Sequence, residues 1–243
     1  MDILFDTYEI RARVAPSVIV AFPILVTLWF CLPGTGSSWQ ILTGSGILSV
    51  ALLYGFTFIV RWLGRAGEKS LWQSWGGAPS TRVLRWRDST LNKDVKTRMR
   101  KATFTSFGVQ LLSETEELAS PHTADQQIEN CFLRIKEVLR LRDKDGLWLK
   151  HNAEYGFARN LLGCRWLFLI LGAIGVLVCG TIGEWTGRGV FNSGTVINSV
   201  SCIVWIPFAW GLLPKIAKDA AESYADRAWL TFLALASEPS KNS

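Results

Sequence analysis

The sequence predicts an all-α integral membrane protein in which two transmembrane helical hairpins, four spans in all, flank a helical cytoplasmic domain. Hydrophobic residues make up 49% of the chain and charged residues only 19%. The longest uncharged run, from Val14 to Val60, contains no Asp, Glu, Lys or Arg. One helical span needs roughly 20 apolar residues, so this run has room for two spans. Basic residues are concentrated between the uncharged runs, which predicts a domain outside the bilayer there.

A turn-rich segment, Pro33 to Ser38, divides the first uncharged run. Its proline and glycines do not readily continue a helix. We therefore expect a first span from Ala15 to Leu32 and a second from Ile41 to Val60, which together form a hairpin over residues 15–60. Residues 1–14 are expected to form a short amphipathic lead-in on the cytoplasmic face.

Two further uncharged stretches follow later in the chain, from Trp166 to Gly183 and from Gly189 to Pro214. They predict a third span near Cys164–Ile182 and a fourth near Thr195–Leu213, which form the second hairpin over residues 164–214.

The fourth span is the most polar of the four. Its Asn198, Ser199 and Ser201 are candidates for a pore lining, because polar side chains in a span face a bundle interior or a water-filled cavity. The alternative is that these side chains form hydrogen bonds between helices. No predicted span has an Asp, Glu, Lys or Arg at its middle, which argues against a proton-coupled transporter or a voltage sensor.

The distribution of positive charge predicts the orientation in the membrane. The segment from Arg61 to Asn160 contains eighteen Lys or Arg, whereas the loop of the first hairpin has no charged residue. Both termini and a helical basic domain, residues 61–163, are therefore expected in the cytoplasm. The tail, residues 215–243, is expected to be cytoplasmic as well, with an amphipathic helix that restarts after Pro214.

A glycine pair followed by three arginines is the strongest candidate for a ligand site. Gly76 and Gly77 precede a predicted helix start with Ser80 or Thr81 as its cap. Backbone N–H groups at a helix start, together with guanidinium groups, favour an anion such as the phosphate of a soluble ligand. The alternative is a capped helix whose arginines contact lipid phosphates or acidic neighbours such as Glu114, Glu116 and Glu117. The candidate ligand-binding residues are Gly76, Gly77, Ser80, Thr81, Arg82, Arg85 and Arg87.

The later part of the cytoplasmic domain predicts two more helices. One begins at Pro121 and carries an apolar stripe that is typical of a packing face, formed by Ile128, Phe132, Ile135 and Leu139. The other, from Leu147 to Arg165, is expected to run without interruption into the third span, which would couple the domain to that span. The candidate coupling residues are Tyr155, Arg159, Asn160 and Arg165.

Catalytic and metal-binding patterns are missing from the sequence. It has no Ser-His-Asp candidate and no paired carboxylates near a span, so we expect no enzyme and no cofactor. The five cysteines form no C-x-x-C motif and are expected to be small apolar fillers, and the two histidines lie far apart, which argues against a metal site.

Two segments resemble motifs of a family of bacterial four-span membrane proteins. Leu71–Arg85 resembles the pattern LWxxWGGxPTTxxLR, and Asn152–Gly163 resembles NxxYGFRRNLLG. The departures are Ser80, where the pattern has Thr, and Ala158, where it often has Arg. The resemblance covers the two motifs and the layout of the spans, and it implies a multi-pass protein of a bacterial inner membrane.

The layout also resembles that of membrane effectors in nucleotide-signalled anti-phage systems, such as the Hailong channel effector. This resemblance implies a homo-oligomer, with a tetramer as one candidate, embedded in the lipid bilayer. It further implies gating by a nucleotide or oligonucleotide that a nucleotidyltransferase partner makes. We therefore expect an inner-membrane channel or pore-forming effector.

The alternative is a non-conducting membrane scaffold that recruits a soluble partner protein. Its docking surfaces would be the acidic run Glu114 to Glu117 or the apolar stripe of the helix that begins at Pro121.

Overall fold

The computed structural model describes residues 7–31, 39–143 and 146–237, and every regular element in these ranges is helical. The prediction of an all-α protein is therefore confirmed. The turn predicted at Pro33 to Ser38 lies outside the described residues. The helices are α1 (Thr7–Glu9), α2 (Ala15–Cys31), α3 (Trp39–Ser74), α4 (Pro79–Arg82), α5 (Lys93–Phe107), α6 (Glu114–Ala119), α7 (Pro121–Arg142), α8 (Leu147–Gly163), α9 (Arg165–Trp185), α10 (Ser193–Pro207) and α11 (Leu213–Ser237), with π-helical turns at Ile10–Val14 and Phe208–Leu212.

The chain divides into two compact units. The first unit comprises Met1–Glu68 and Ala153–Ala217, and the second comprises Lys69–Asn152 and Lys218–Ser243. The domain boundaries expected from the sequence, at residues 60, 163 and 214, stay predictions.

Three helical segments among the described residues are long and apolar enough to cross a membrane: Ile10–Cys31, Arg165–Trp185 and Ser193–Ser237. In the first unit, α2, α9 and α10 pack against one another as a three-helix bundle. The outer side chains of the bundle are large and apolar, as Leu177 and Ile203 illustrate with 71% and 67% exposure. The predicted second span falls within α3, where the side chains of 39–52 lie outside the described residues.

The tail helix does not restart after Pro214, so that prediction is wrong. The chain is helical from Ser193 through Ser237, with a π-helical turn at Phe208–Leu212 between Pro207 and Pro214. A π-helical turn widens the helix locally and accommodates the carbonyl groups whose partners are lost at a proline. The helix therefore continues past both prolines.

The second unit has its own hydrophobic core. As predicted, α7 begins with Pro121 at its first position. The predicted stripe of α7 is buried in this core, where it packs with Met99 of α5 and with Trp229 and Phe232 of α11. The stripe is thus a packing face, and it is not available as a docking surface for a partner. Its buried residues are Ile128, Phe132, Ile135 and Leu139.

Candidate functional site

The glycine pair ends α3 and forms a tight turn before α4. Gly76 and Gly77 have φ angles of +82° and +123°, conformations that side chains rarely permit. The short helix α4 begins at Pro79, with Ala78 as its N-cap, so the prediction that Ser80 or Thr81 is the cap is wrong. Proline is favoured at a first helical position because its missing N–H has no partner there.

Ser80 and Thr81 belong to the packing of the second unit. The Ser80 carbonyl accepts a hydrogen bond of 2.8 Å from the buried Trp229 indole, and Thr81 is only 4% exposed. The helix α4 has only four residues, and both Ser80 and Thr81 contribute to packing. Its N-terminus therefore does not form an anion site, and any anion that binds here has to bind the arginines.

Arg85 forms three hydrogen bonds through its guanidinium group. Its Nε and Nη2 donate hydrogen bonds of 2.7 Å to the two carboxylate oxygens of Asp125, and its Nη1 donates one of 2.6 Å to the Gly76 carbonyl. A Cβ at Gly77 would lie 2.5 Å from Arg85 Nη2. The glycine turn therefore leaves the space that this guanidinium occupies.

Arg82 and Arg87 have looser partners. Arg82 lies 3.5 Å from Glu222 and 3.7 Å from Asp88. Arg87 lies 3.8 Å from Asp125, with 40% of its side chain exposed. Since Asp125 is already bound at both oxygens by Arg85, the two arginines share one carboxylate.

A buried polar network fixes the backbone next to these arginines. Glu117 accepts hydrogen bonds from the Trp86 backbone N–H, at 3.0 and 3.1 Å, and from Arg100 at 3.2 Å. Lys96, which is fully buried, donates to the carbonyls of Arg85 and Asp88. Burial lowers the pKa of both the Lys96 ammonium and the Arg100 guanidinium. These bonds set the position from which Arg85 and Arg87 project.

The candidate coupling residues lie in the first unit. Glu68 accepts hydrogen bonds of 2.8 Å from the Tyr155 hydroxyl and 3.0 Å from Arg159. The Asn160 amide donates a bond of 2.8 Å to the Ala12 carbonyl. The structure thus brings Tyr155, Arg159 and Asn160 together with α3 and the N-terminal segment.

The expected uninterrupted helix from Leu147 into the third span is wrong, because α8 ends at Gly163 and α9 begins at Arg165. Cys164 between them has φ −96° and ψ 8°, outside the helical geometry. The Arg165 carbonyl accepts a hydrogen bond of 3.0 Å from the Trp205 indole, and its guanidinium lies 5.2 Å from the Trp210 ring centroid. Arg165 therefore contacts the helix of the last span, apart from the other three coupling candidates.

The pore candidates occupy different environments. Asn198 is fully buried and donates a hydrogen bond of 3.2 Å to the Thr27 hydroxyl of α2. Ser201 donates 2.8 Å back to the Asn198 carbonyl of its own helix. Ser199 is partly exposed. In this chain alone, Asn198 thus lies between helices, which fits the interhelical alternative for this residue.

Comparison with known proteins gives no relative: the chain matches no protein-family model, no curated protein and no solved structure. Among the described residues, no group of three or more His, Cys, Asp or Glu is placed to hold a metal ion.

Sequence reasoning missed the carboxylates that face the arginines. Asp125 lies 40 residues from Arg85, and Glu222 lies 140 residues from Arg82. The acidic neighbours considered from the sequence have other roles, since Glu117 binds Arg100 and Glu116 caps its own helix. No local pattern connects residues at such separations, so only the packed second unit reveals these pairs.

Proposed function

We propose that the chain forms a homo-oligomeric, four-span channel or pore-forming effector of a bacterial inner membrane, with both termini in the cytoplasm. It is gated by a nucleotide or oligonucleotide that a nucleotidyltransferase partner makes, and it acts in anti-phage defence. The phosphate of the ligand binds at the arginines that follow the glycine turn.

The observation that carries the proposal is the sharing of Asp125 by two arginines. Arg85 and Arg87 place two positive charges around one carboxylate, so this cluster keeps an excess of positive charge. Arginine binds phosphate oxygens through paired N–H groups. Arg87 has an exposed guanidinium and only a 3.8 Å contact to give up, which makes it the first residue to bind an anion.

Arg82 and Arg85 contribute in different ways. The contacts of Arg82 with Asp88 and Glu222, at 3.7 and 3.5 Å, are long enough to be exchanged for a ligand phosphate. Arg85 stays on Asp125 and the Gly76 carbonyl and holds the turn. The proposal therefore assigns binding to Arg82 and Arg87 and positioning to Arg85.

The membrane part of the proposal rests on the three apolar helical segments and on α3. With α3 as a further span, the count is four, and the uncharged first loop with the basic central segment supports cytoplasmic termini.

The test is ion flux from liposomes that contain the purified protein, measured with and without cyclic nucleotides and short oligonucleotides. We expect one of these ligands to switch the flux, and Arg87→Ala to abolish the response. The matched control is Arg140→Ala, which removes an exposed arginine that pairs with Glu137 of its own helix. A ligand response that persists in Arg87→Ala would contradict the proposal.

The second candidate is a non-conducting scaffold that recruits a soluble partner protein. The apolar side chains that such a partner would cover are Leu118, Leu141 and Phe104 of the second unit, which are 67%, 86% and 54% exposed. Two results together would support the scaffold instead of the channel. The liposomes would show no ion flux with any ligand, and the protein would bind a soluble protein that Leu141→Glu releases.

A further inference from the structure

One face of α3 changes from aromatic to basic along its length. Tyr54, Phe58, Arg61 and Arg65 are spaced four, three and four residues apart, so they lie on the same side of the helix. The aromatic pair belongs to the apolar half of α3, and the arginines follow where the uncharged run ends. This order matches an amphiphile with an apolar chain and an anionic head.

The aromatic side chains are exposed. Tyr54 is 50% and Phe58 is 53% exposed, and their ring centroids lie 5.1 Å apart in an edge-on arrangement. They form one wall of a groove between α3 and the N-terminal segment. The residues that line the groove are Glu9, Arg13, Val14, Tyr54, Thr57, Phe58 and Arg61.

Positive charge exceeds negative charge at the basic end of the groove. Glu9 binds Arg13, and Glu68 binds Arg159 at 3.0 Å. Within the described part of the chain, neither Arg61 nor Arg65 forms an ion pair. Two cations thus have no carboxylate partner there.

Arg61 in particular is placed unfavourably for a cation without a counter-ion. Burial, followed by the nearby positive charges of Arg13 and Arg65, lowers the pKa of its guanidinium below the usual value. The side chain stays charged, since arginine does not lose its proton in proteins. An anion between Arg61 and Arg65 would relieve this repulsion.

We propose that this groove binds one anionic phospholipid, with its phosphate at Arg61 and Arg65 and an acyl chain along Tyr54 and Phe58. A free phosphate would use the arginines but leave the aromatic pair without a role, whereas a zwitterionic lipid would bring its own cation to the basic end. The site does not depend on the proposed gating and lies in the first unit.

The test is native mass spectrometry of the full-length protein, released from detergent after incubation with equal amounts of phosphatidylglycerol and phosphatidylcholine. We expect phosphatidylglycerol to be retained in preference to phosphatidylcholine. Arg61→Gln is expected to reduce this retention about fivefold, as for one arginine near an anionic headgroup. Arg98→Gln is the matched control, because Arg98 is an exposed arginine of the second unit, and it should leave the retention unchanged.

Two further variants keep the result decisive. Arg65→Gln changes an exposed residue and gives the same test if Arg61→Gln does not fold. Phe58→Ser removes the apolar contact and should weaken phosphatidylglycerol binding while the arginines remain. Equal retention of both lipids, or retention unaffected by Arg61→Gln and Arg65→Gln, would overturn the proposal. Inorganic phosphate that displaces the lipid fully, with Phe58→Ser without effect, would instead assign the site to a soluble anion.

Discussion

The Asn160 side chain donates a hydrogen bond of 2.8 Å to the Ala12 carbonyl, across 148 residues of sequence. Asn160 is only 1% exposed. Gly64 of α3 lies against it, and a Cβ at Gly64 would come within 2.8 Å of the Asn160 Cα. Three segments of the chain therefore meet at Asn160. This residue belongs to the motif Asn152–Gly163, so the motif lies where α8 crosses α3.

Gly163→Ala is expected to destabilise the first unit. A Cβ at Gly163 would lie 2.6 Å from the Gly64 Cα and 2.7 Å from the Leu63 carbonyl oxygen, which are backbone atoms that cannot move aside. The cost of such overpacking is about 1–3 kcal/mol. The control is Gly67→Ala in α3, where a Cβ meets nothing within 4 Å and helix propensity improves by about 0.5–1 kcal/mol. Apparent Tm in detergent should fall in the first variant and stay equal or rise in the second. Equal losses would contradict the close crossing.

Arg85→Lys is expected to destabilise the second unit although it keeps the charge. Lysine cannot donate to both oxygens of Asp125 and to the Gly76 carbonyl at once. Loss of these charge-assisted bonds should cost about 2 kcal/mol. Arg140→Lys, at an exposed pair with Glu137, should change the unfolding free energy by less than about 0.5 kcal/mol. Urea unfolding followed by tryptophan fluorescence measures both. An Arg85→Lys protein as stable as wild type would show that the triple contact does not hold the turn.

The features that could be predicted from the sequence are those that depend on the spacing of residues close together in the chain. The stripe of α7 follows the period of a helix, and its members are buried together because each is three or four residues from the next. The long apolar runs predicted helices of membrane-spanning length because roughly 20 consecutive apolar residues are enough to cross a bilayer. The prediction that the tail helix restarts after Pro214 was wrong, because the local sequence does not reveal the π-helical turn at Phe208–Leu212. Through this turn the helix continues past Pro214.

The partners in the candidate site were not predictable in this way. Gly76, Gly77 and the arginines stand out as a motif, yet what each arginine binds is decided by residues from α7 and α11. Similarly, the Cys31 and Cys179 side chains were expected to be small apolar fillers, and nothing in the sequence predicted that packing of α2 on α9 places their thiols next to each other. Pairings of this kind follow from tertiary structure alone.

Ser113→Ala is expected to remove a pH-dependent part of the stability of α6. Hydrogen bonds from the Ser113 hydroxyl, at 2.7 Å, and from its backbone N–H, at 2.8 Å, lower the pKa of the Glu116 carboxyl. A carboxyl whose folded pKa lies below its unfolded value adds stability above the unfolded pKa, and this stability is lost as the pH falls through the folded pKa. The difference in unfolding free energy between wild type and Ser113→Ala should therefore shrink as the pH falls below 4.5, the usual pKa of a glutamate carboxyl.

Urea midpoints of wild type and Ser113→Ala at neutral and acid pH measure this change. The control is Ser106→Ala, at an exposed serine of α5, which should show no such pH dependence. A difference between wild type and Ser113→Ala that stays constant through the acid range would mean that the Glu116 carboxyl does not favour its charged form in the folded state.

Mild oxidation is expected to join Cys31 and Cys179. Their sulfur atoms lie 3.6 Å apart, and a bond of about 2.05 Å needs only a small approach of α2 and α9. Diamide takes up the two protons and two electrons that the thiols lose as the bond forms. A bond that closes so long a segment stabilises a protein by about 2–4 kcal/mol, so apparent Tm should rise. Thiol alkylation and peptide mass mapping should find the linked pair in wild type and in Cys202→Ser, but not in Cys31→Ser. Wild-type protein that keeps every thiol open to alkylation after diamide would show that the two helices do not bring these sulfurs within bonding reach.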